Sequence, residues 1–259
     1  MKVLVIEIDG ESLSIEGVID VARNHAKVKL AESARTRMEK SREVIESAVK
    51  DSRVVYGVNT GFGDLANVSI DGSELEKLQI NLVRSHSAGV GSPLSSEIVR
   101  GMMLLRANAL AKGYSGVRIE LVETLIEMLN ENVTPVIPEK GSVGASGDLA
   151  PLAHMALVLI GEGEAFYDGK RVSGKEAMEK AVIEILTLRA KEGVALINGT
   201  QAMTSIGALV IHDALELVRN ALVASAMSLE ALRGTRAALD SRIHELRPHE
   251  VQLDVAETL

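Results

Sequence analysis

Apolar residues recur at three- and four-residue steps through most of this chain, with charged residues filling the intervening positions, which is the pattern of amphipathic helices. It predicts helices near 16–26 and 31–50, then over Ser73–Arg84, Ser95–Lys112 and Val117–Asn130, where Leu121, Leu125 and Leu129 form one stripe. A further helix is expected over Asp148–Gly161, with Pro151 tolerated in its first turn. Ser173 and Glu176 form a capping box that starts another. From Met203 to Asp240 there is no proline and Ile206, Val210, Ala214, Leu217 and Ala221 keep helical spacing, so a long buried bundle helix is expected, with a break near Gly234.

Two short stretches read differently. Val3–Ile8 and Glu11–Ile15 flank Asp9-Gly10, a two-residue turn signal, and predict a small β-hairpin at the start of the chain. Asp168-Gly169 within 164–172 predicts a second. The fold class expected is therefore mainly α, a helical bundle with two small hairpins.

Composition agrees. The chain has 259 residues, 46% hydrophobic, with only five aromatic residues, so its core must be aliphatic, which suits helix on helix better than a sandwich. A net charge of −8 without a basic cluster argues against nucleic acid or an anionic membrane as partner. The absence of cysteine removes disulfides, thiolate catalysis and thiolate metal sites, and Pro248 spoils a helical metal pair from His244 and His249, so no metal is expected. Gly193–Ile211 lacks charge, yet its Asn198, Thr200, Gln201, Thr204 and Ser205 favour a buried helix entry over a membrane span. Glu7 and Asp9 interrupt the opening Met1-Lys-Val-Leu-Val-Ile, which is not a signal peptide, so a cytoplasmic location is expected.

The chemically unusual stretch is Gly141–Pro151, GSVGASGDLAP. Its glycines at 141, 144 and 147 allow backbone angles closed to other residues. A phosphate cradle would need Gly-Lys-Ser/Thr where Asp148 stands, and a dinucleotide turn would need a preceding central strand, to which Thr134–Pro138 is hostile; no nucleotide is expected. The remaining reading is cyclisation. If the Gly147 nitrogen attacks the Ala145 carbonyl carbon and two waters leave, the product is an exocyclic methylidene on an imidazolone ring, an electrophile made without an external cofactor. Gly147 keeps the nitrogen unhindered, Ser146 gives up its hydroxyl, Ala145 fits a tight bend, and Asp148 is placed to move protons.

GSVGASGDLAPLAHMALVLIGEGEA resembles the signature of the histidine and phenylalanine ammonia-lyase family, whose 4-methylideneimidazol-5-one group forms from this Ala-Ser-Gly. Three further blocks share the resemblance, which runs from about Leu13 to the last residue. Tyr56-Gly-Val-Asn-Thr-Gly-Phe62-Gly63 is similar to the family's glycine-hinged tyrosine loop, which implies that Tyr56 is a base; a tyrosine near pKa 10 needs its site to lower that value for the task. The block NLVRSHSAGVG resembles the family's selectivity segment, where a Ser-His pair accompanies histidine as substrate. His86 can hydrogen-bond an imidazole, and a polar pocket rejects substrates that leave it unpaired. Lys191–Thr200 resembles a family block whose asparagine lies beside the imidazolone, which places Asn198 in the site as a donor toward developing negative charge.

The resemblance implies the ammonia-lyase and fumarase type of helical bundle. It also implies non-oxidative deamination of L-histidine to trans-urocanate and ammonia, in histidine catabolism. A tyrosine or phenylalanine lyase or aminomutase is the neighbouring reading. A division is drawn at 140/141, between an N-terminal region with the tyrosine loop and a region holding the Ala-Ser-Gly loop and the start of the bundle. Family members are about double this length, and their other half supplies a second site tyrosine, an arginine and a glutamate. Arg247-Pro-His249-Glu-Val-Gln252 departs from the family's RPHPGQ just where the chain ends. Three readings stay open: a fragment, one subunit of a split enzyme, or a short protein that does not catalyse. The family's sites gather residues from three subunits of a homotetramer, so a homo-oligomer, or assembly with a second chain, is expected.

Overall fold

The computed structural model describes residues 4–51, 53–61, 70, 74–144 and 147–259. Strand β1 (Val5–Ile8) is followed by helix α1 (Ile15–Ala22) and strand β2 (Lys27–Leu30), and the two strands pair in parallel, Val5 opposite Lys27 through Ile8 opposite Leu30. This corrects the N-terminal hairpin. The Asp9 carboxylate accepts from the Glu11 and Ser12 amides (both 2.8 Å) and from the Ser12 hydroxyl, so Asp9-Gly10 turns the chain toward a helix rather than back along β1. Those bonds hold the Asp9 carboxyl down at about 2. Ser14 then caps α1 through the Gly17 amide.

Helices α2 (Glu32–Lys50), α3 (Leu75–His86), α4 (Ser96–Ala111) and α5 (Ile119–Asn130) follow, near their expected positions. The stripe Leu121, Leu125 and Leu129 is buried, and it joins Met102, Met103, Leu104 and Leu110 of α4 in one aliphatic core. Between α3 and α6 (Leu149–Leu159) lie strands β3 (Val90–Pro93), β4 (Thr134–Pro135) and β5 (Pro138–Lys140). Among the described residues β3 pairs only with β5, and β4 is the edge of a three-stranded sheet, so the prolines stand where a missing amide does no damage. The expected second hairpin is present as β6 (Glu164–Tyr167) and β7 (Lys170–Ser173), turned at Asp168-Gly169, both at positive φ. Ser173 caps α7 (Gly174–Lys180) by accepting from Glu176 N–H.

Helix α8 (Glu192–Ile197) and helix α9 (Gln201–Ala231) are separated by Asn198-Gly199. From Glu192 to Ala231 the chain is long and apolar enough to cross a membrane by length and composition alone. The expectation that the last long helix is buried is corrected: α9 ends at Ala231, and only Ala202, Ser205, Ala208 and Leu209 of it are buried. Val210, Leu217 and Met227 stand 59%, 70% and 66% exposed, because helical periodicity marks an apolar face without supplying the chain that covers it.

The molecule divides into two compact units, Met1–Leu209 and Val210–Leu259. This division by compactness is of another kind from the 140/141 division drawn from sequence, which marked where the Ala-Ser-Gly region begins. The second unit contains a 3₁₀ turn (Arg236–Leu239), α10 (Ser241–Glu245) and α11 (Glu250–Thr258).

Candidate functional site

The glycine-rich loop is held at both ends. Val90 pairs with Lys140, and a side chain on Gly141 would come within 3.3 Å of the Gly89 backbone. Val143 N–H donates to Gly147 O (3.2 Å) and Gly147 N–H to Gly144 O (2.8 Å). Ala145 and Ser146 lie outside the described residues. Gly144 and Gly147 both have positive φ, +60° and +89°, and a Cβ on Gly147 would sit 2.7 Å from Gly199 O. Glycine is therefore required at 147 by conformation and by space.

Asp148 is fully buried at the start of α6. Its N–H donates to Gly199 O (2.7 Å), and its Oδ2 accepts from Met203 N–H (3.0 Å), satisfying an amide in the first turn of α9. Its Oδ1 is buried without a hydrogen-bond partner among the described residues. A buried carboxylate oxygen with no partner among the described residues, next to Gly147, is what a group formed from this Ala-Ser-Gly could use, since burial without a partner is otherwise costly. The side-chain-free cradle at Gly147 fits the same group. Sequence reasoning gave Asp148 a proton-moving role; its structural role, joining the loop to the Gly199 corner, was not legible.

That corner is built by buried charges. Glu192, fully buried, accepts from Arg118 Nε and Nη2 (both 2.9 Å), from Arg118 N–H (3.1 Å) and from Arg189 N–H (2.8 Å). Gly193 N–H donates to Gln79 Oε1 (2.8 Å), which fastens α8 to α3. Arg106 of α4 donates to Ala195 O, to Asn198 O (3.1 Å) and to Gln201 Oε1 (2.9 Å), spanning the break between α8 and α9. Burial pushes the Arg106 guanidinium down to about 10, so it remains a cation at neutral pH. The Asn198 side chain is exposed at this break. Arg106 and Gln79 were not singled out from sequence; a buried Arg inside an apolar helix was the available signal.

His86 ends α3. Its Nδ1 lies 2.9 Å from Leu82 O, and since a carbonyl can only accept, Nδ1 donates, which in a neutral ring leaves Nε2 as an acceptor. Three residues on, Gly89 N–H donates to His154 Nε2 (3.1 Å) of α6. His154, left out of the sequence-based site, thus ties the His86 segment to the helix that follows the Ala-Ser-Gly loop. Burial lowers its pKa.

Tyr56 stands 56% exposed on a loop whose shape is set from beneath. Asn59 Oδ1 accepts from Val55 N–H (2.8 Å), its Nδ2 donates to Arg53 O (2.8 Å), and Val58 is buried against Leu75 and Ala190. Phe62 and Gly63 of this loop lie outside the described residues. Asp148 and Gly199 are bonded directly, Arg106 holds Asn198 and Gln201 on either side of Gly199, and the His86 segment reaches α6 through Gly89; Tyr56 enters by its loop, whose Val58 packs on Leu75 of α3 and on Ala190. A cavity of about 740 Å³ lies wholly within the second unit, bounded by Arg236, His244 and Leu259 among others, and contains none of these residues.

A family model for aromatic amino acid lyases matches residues 13–259. A histidine ammonia-lyase of Alkaliphilus oremlandii is 57% identical over 254 residues, covering 98% of this chain and 50% of the relative. The crystal structure of histidine ammonia-lyase from Trypanosoma cruzi superposes with a TM-score of 0.92 at 41% identity, covering 98% of this chain and 49% of that one. Tyrosine aminomutase from Streptomyces globisporus gives 0.90 at 42%, covering 98% and 48%. The chain spans about half the length of the curated relatives it matches. With its fold, its glycine-rich loop and the matched residues agreeing, this chain belongs to the aromatic amino acid lyase family.

Proposed function

We propose that this chain contributes to a histidine ammonia-lyase, which eliminates ammonia from L-histidine to give trans-urocanate. The observation that carries the reading is that curated relatives matched over nearly the whole chain are named histidine ammonia-lyases, at 57%, 56% and 54% identity; among the solved structures a histidine ammonia-lyase and a tyrosine aminomutase stand level, at 41% and 42%. A tyrosine or phenylalanine lyase or aminomutase is the competing substrate class, and a substrate panel separates them.

Ala145, Ser146 and Gly147 would form 4-methylideneimidazol-5-one, with Asp148 beside them; the fit of Gly147 and the open Asp148 Oδ1 support this. When formed, that group supplies an electrophile for the substrate's electrons. The chain's own residues bind and move protons around it. His86 Nε2, left as acceptor, receives the N–H of the substrate imidazole. Tyr56 oxygen takes the β-proton, and the Asn198 amide, oriented by the Arg106 clamp on its backbone, donates toward developing negative charge. The exposed apolar positions of α9 and the exposure of Tyr56 support sites completed by further chains, as a homotetramer or with a second polypeptide, and we place the assembly in the cytoplasm.

The test has two arms. The intact mass of the purified chain should fall below the sequence mass by two waters, and Ser146→Ala should restore the full mass. The chain mixed with a polypeptide carrying the remaining half of a relative should release urocanate from L-histidine, and Ser146→Ala should abolish this. Urocanate release undiminished in Ser146→Ala, or turnover of tyrosine in preference to histidine, would overturn the reading.

A further inference from the structure

A cavity of about 440 Å³ lies between α2 and the loop after α4, lined by Arg37, Lys40, Lys112 and Lys191, with Ser41 and Tyr114 beside them and no Asp or Glu among its lining residues. In a chain of net charge −8, four cations around one hollow without a carboxylate call for a reason. Several lysines elsewhere sit beside a carboxylate, as Lys29 does with Glu7, Lys77 with Glu74 and Lys180 with Glu176.

The hollow is also built rather than incidental. Gly113 and Gly116 carry positive φ, +83° and +68°, and side chains there would overlap Arg37 and Ile45, so the loop is pressed onto α2. Gly116 N–H donates to Ser41 Oγ (3.1 Å), and Arg42 Nη1 donates to Gly116 O (3.2 Å) and Ala190 O (3.1 Å), locking the two walls together. Arg37 is braced by Lys112 O and Asp9 O, both neutral carbonyl acceptors. Tyr114, 83% exposed, stands at the rim.

Lys191 is the residue that points to a ligand. It is partly buried, sits at a left-handed φ of 78° that a non-glycine residue adopts at a cost, and makes no ion pair among the described residues. Burial lowers its pKa, and Arg37, Lys40 and Lys112 line the same hollow. A bound anion would offset the burial of the Lys191 charge.

We propose that this cavity is a binding site for a phosphoryl anion, held by Arg37, Lys40, Lys112 and Lys191 with Ser41 as hydroxyl donor. It is separate from the Gly147–Gly199 corner, and it does not depend on the lyase reading. Charge-assisted contacts from four cations suit a compact multiply charged oxyanion better than a single carboxylate.

The probes are pyrophosphate and inorganic phosphate, titrated calorimetrically into the 259-residue chain at constant ionic strength, using Ser146→Ala protein in parallel to separate this site from any lyase chemistry. Saturable binding is expected, tighter for pyrophosphate, and unchanged by Ser146→Ala. Lys191→Met should weaken it by about tenfold or more, the loss of one charge-assisted contact. Lys40→Ala, on the exposed side of α2, gives a second variant should Lys191→Met fold poorly, and it should weaken binding similarly. Bound pyrophosphate should also protect Lys191 from amine-directed labelling while leaving Lys175 on α7 reactive. Absence of saturable binding, or affinity unaltered in both lysine variants, would overturn the proposal.

Discussion

Replacing Arg106 tests whether buried hydrogen bonds or mere positive charge hold the corner at Asn198. The side chain makes three charge-assisted bonds, to Ala195 O, Asn198 O and Gln201 Oε1. At about 1.5–3 kcal/mol each, these contribute roughly 4–9 kcal/mol. Opposing them, the fall of the guanidinium from 12.5 to about 10 corresponds to roughly 3 kcal/mol of desolvation. A methionine in the same space would regain roughly 2 kcal/mol of apolar burial. On this balance the cost of Arg106→Met spans about −1 to about 4 kcal/mol, with a midpoint of about 1.5 kcal/mol, and the net loss arises because the carbonyls it abandons cannot all reach water. Arg106→Lys should be no better than Met. An ammonium keeps the desolvation cost, is more strongly hydrated, and cannot span three acceptors. Urea unfolding with unchanged m gives the stabilities. Hydrogen exchange at Asp148 N–H, bonded to Gly199 O at 2.7 Å, reports whether the corner opens. Recovery of full stability by Arg106→Lys would refute the reasoning, since charge alone would then suffice.

Two other outcomes follow from the geometry. The His154 pKa is lowered by burial, so as pH falls through about 6.5 the unfolded chain takes its proton first and stability declines until the folded-state value is passed. The decline in urea midpoint between about pH 7.5 and about pH 5.5 should be smaller in His154→Gln, whose amide oxygen can still accept from Gly89 N–H; an equal decline in both proteins would remove His154 as its source. Gly174→Ala should lose about 1–3 kcal/mol despite alanine's better helix propensity, because its Cβ would overlap the Glu162 carbonyl oxygen, a backbone atom with little room to move; a stability gain would show that the two segments part easily.

Much of the fold was legible because its elements are set by local pattern. The α5 stripe, the capping box at Ser173, the Asp168-Gly169 turn and the break at Asn198-Gly199 each depend on residues within a few positions of one another. The same holds for the glycine-rich loop, whose composition pointed to its chemistry before any contact was known. Asp9-Gly10 failed for the same reason. Its turn signal is local and real, but β1 takes its partner from Lys27–Leu30, beyond a helix, and no nearby residue records that choice.

The sequence by itself determined the helical periodicity, the family membership and the residue types that can form the electrophile. Tertiary structure alone decided what those residues touch. Asp148 meets Gly199, Gly89 meets His154, and Arg106 bridges α8 and α9, pairings between residues 51 to 95 positions apart or joined through a third segment. Burial, too, was decided there. An apolar face on α9 and one on α5 look alike in sequence, yet α5 is covered by α4 while Val210, Leu217 and Met227 remain exposed, because periodicity fixes which side of a helix is apolar and only the packing of other segments fixes whether water is excluded from it.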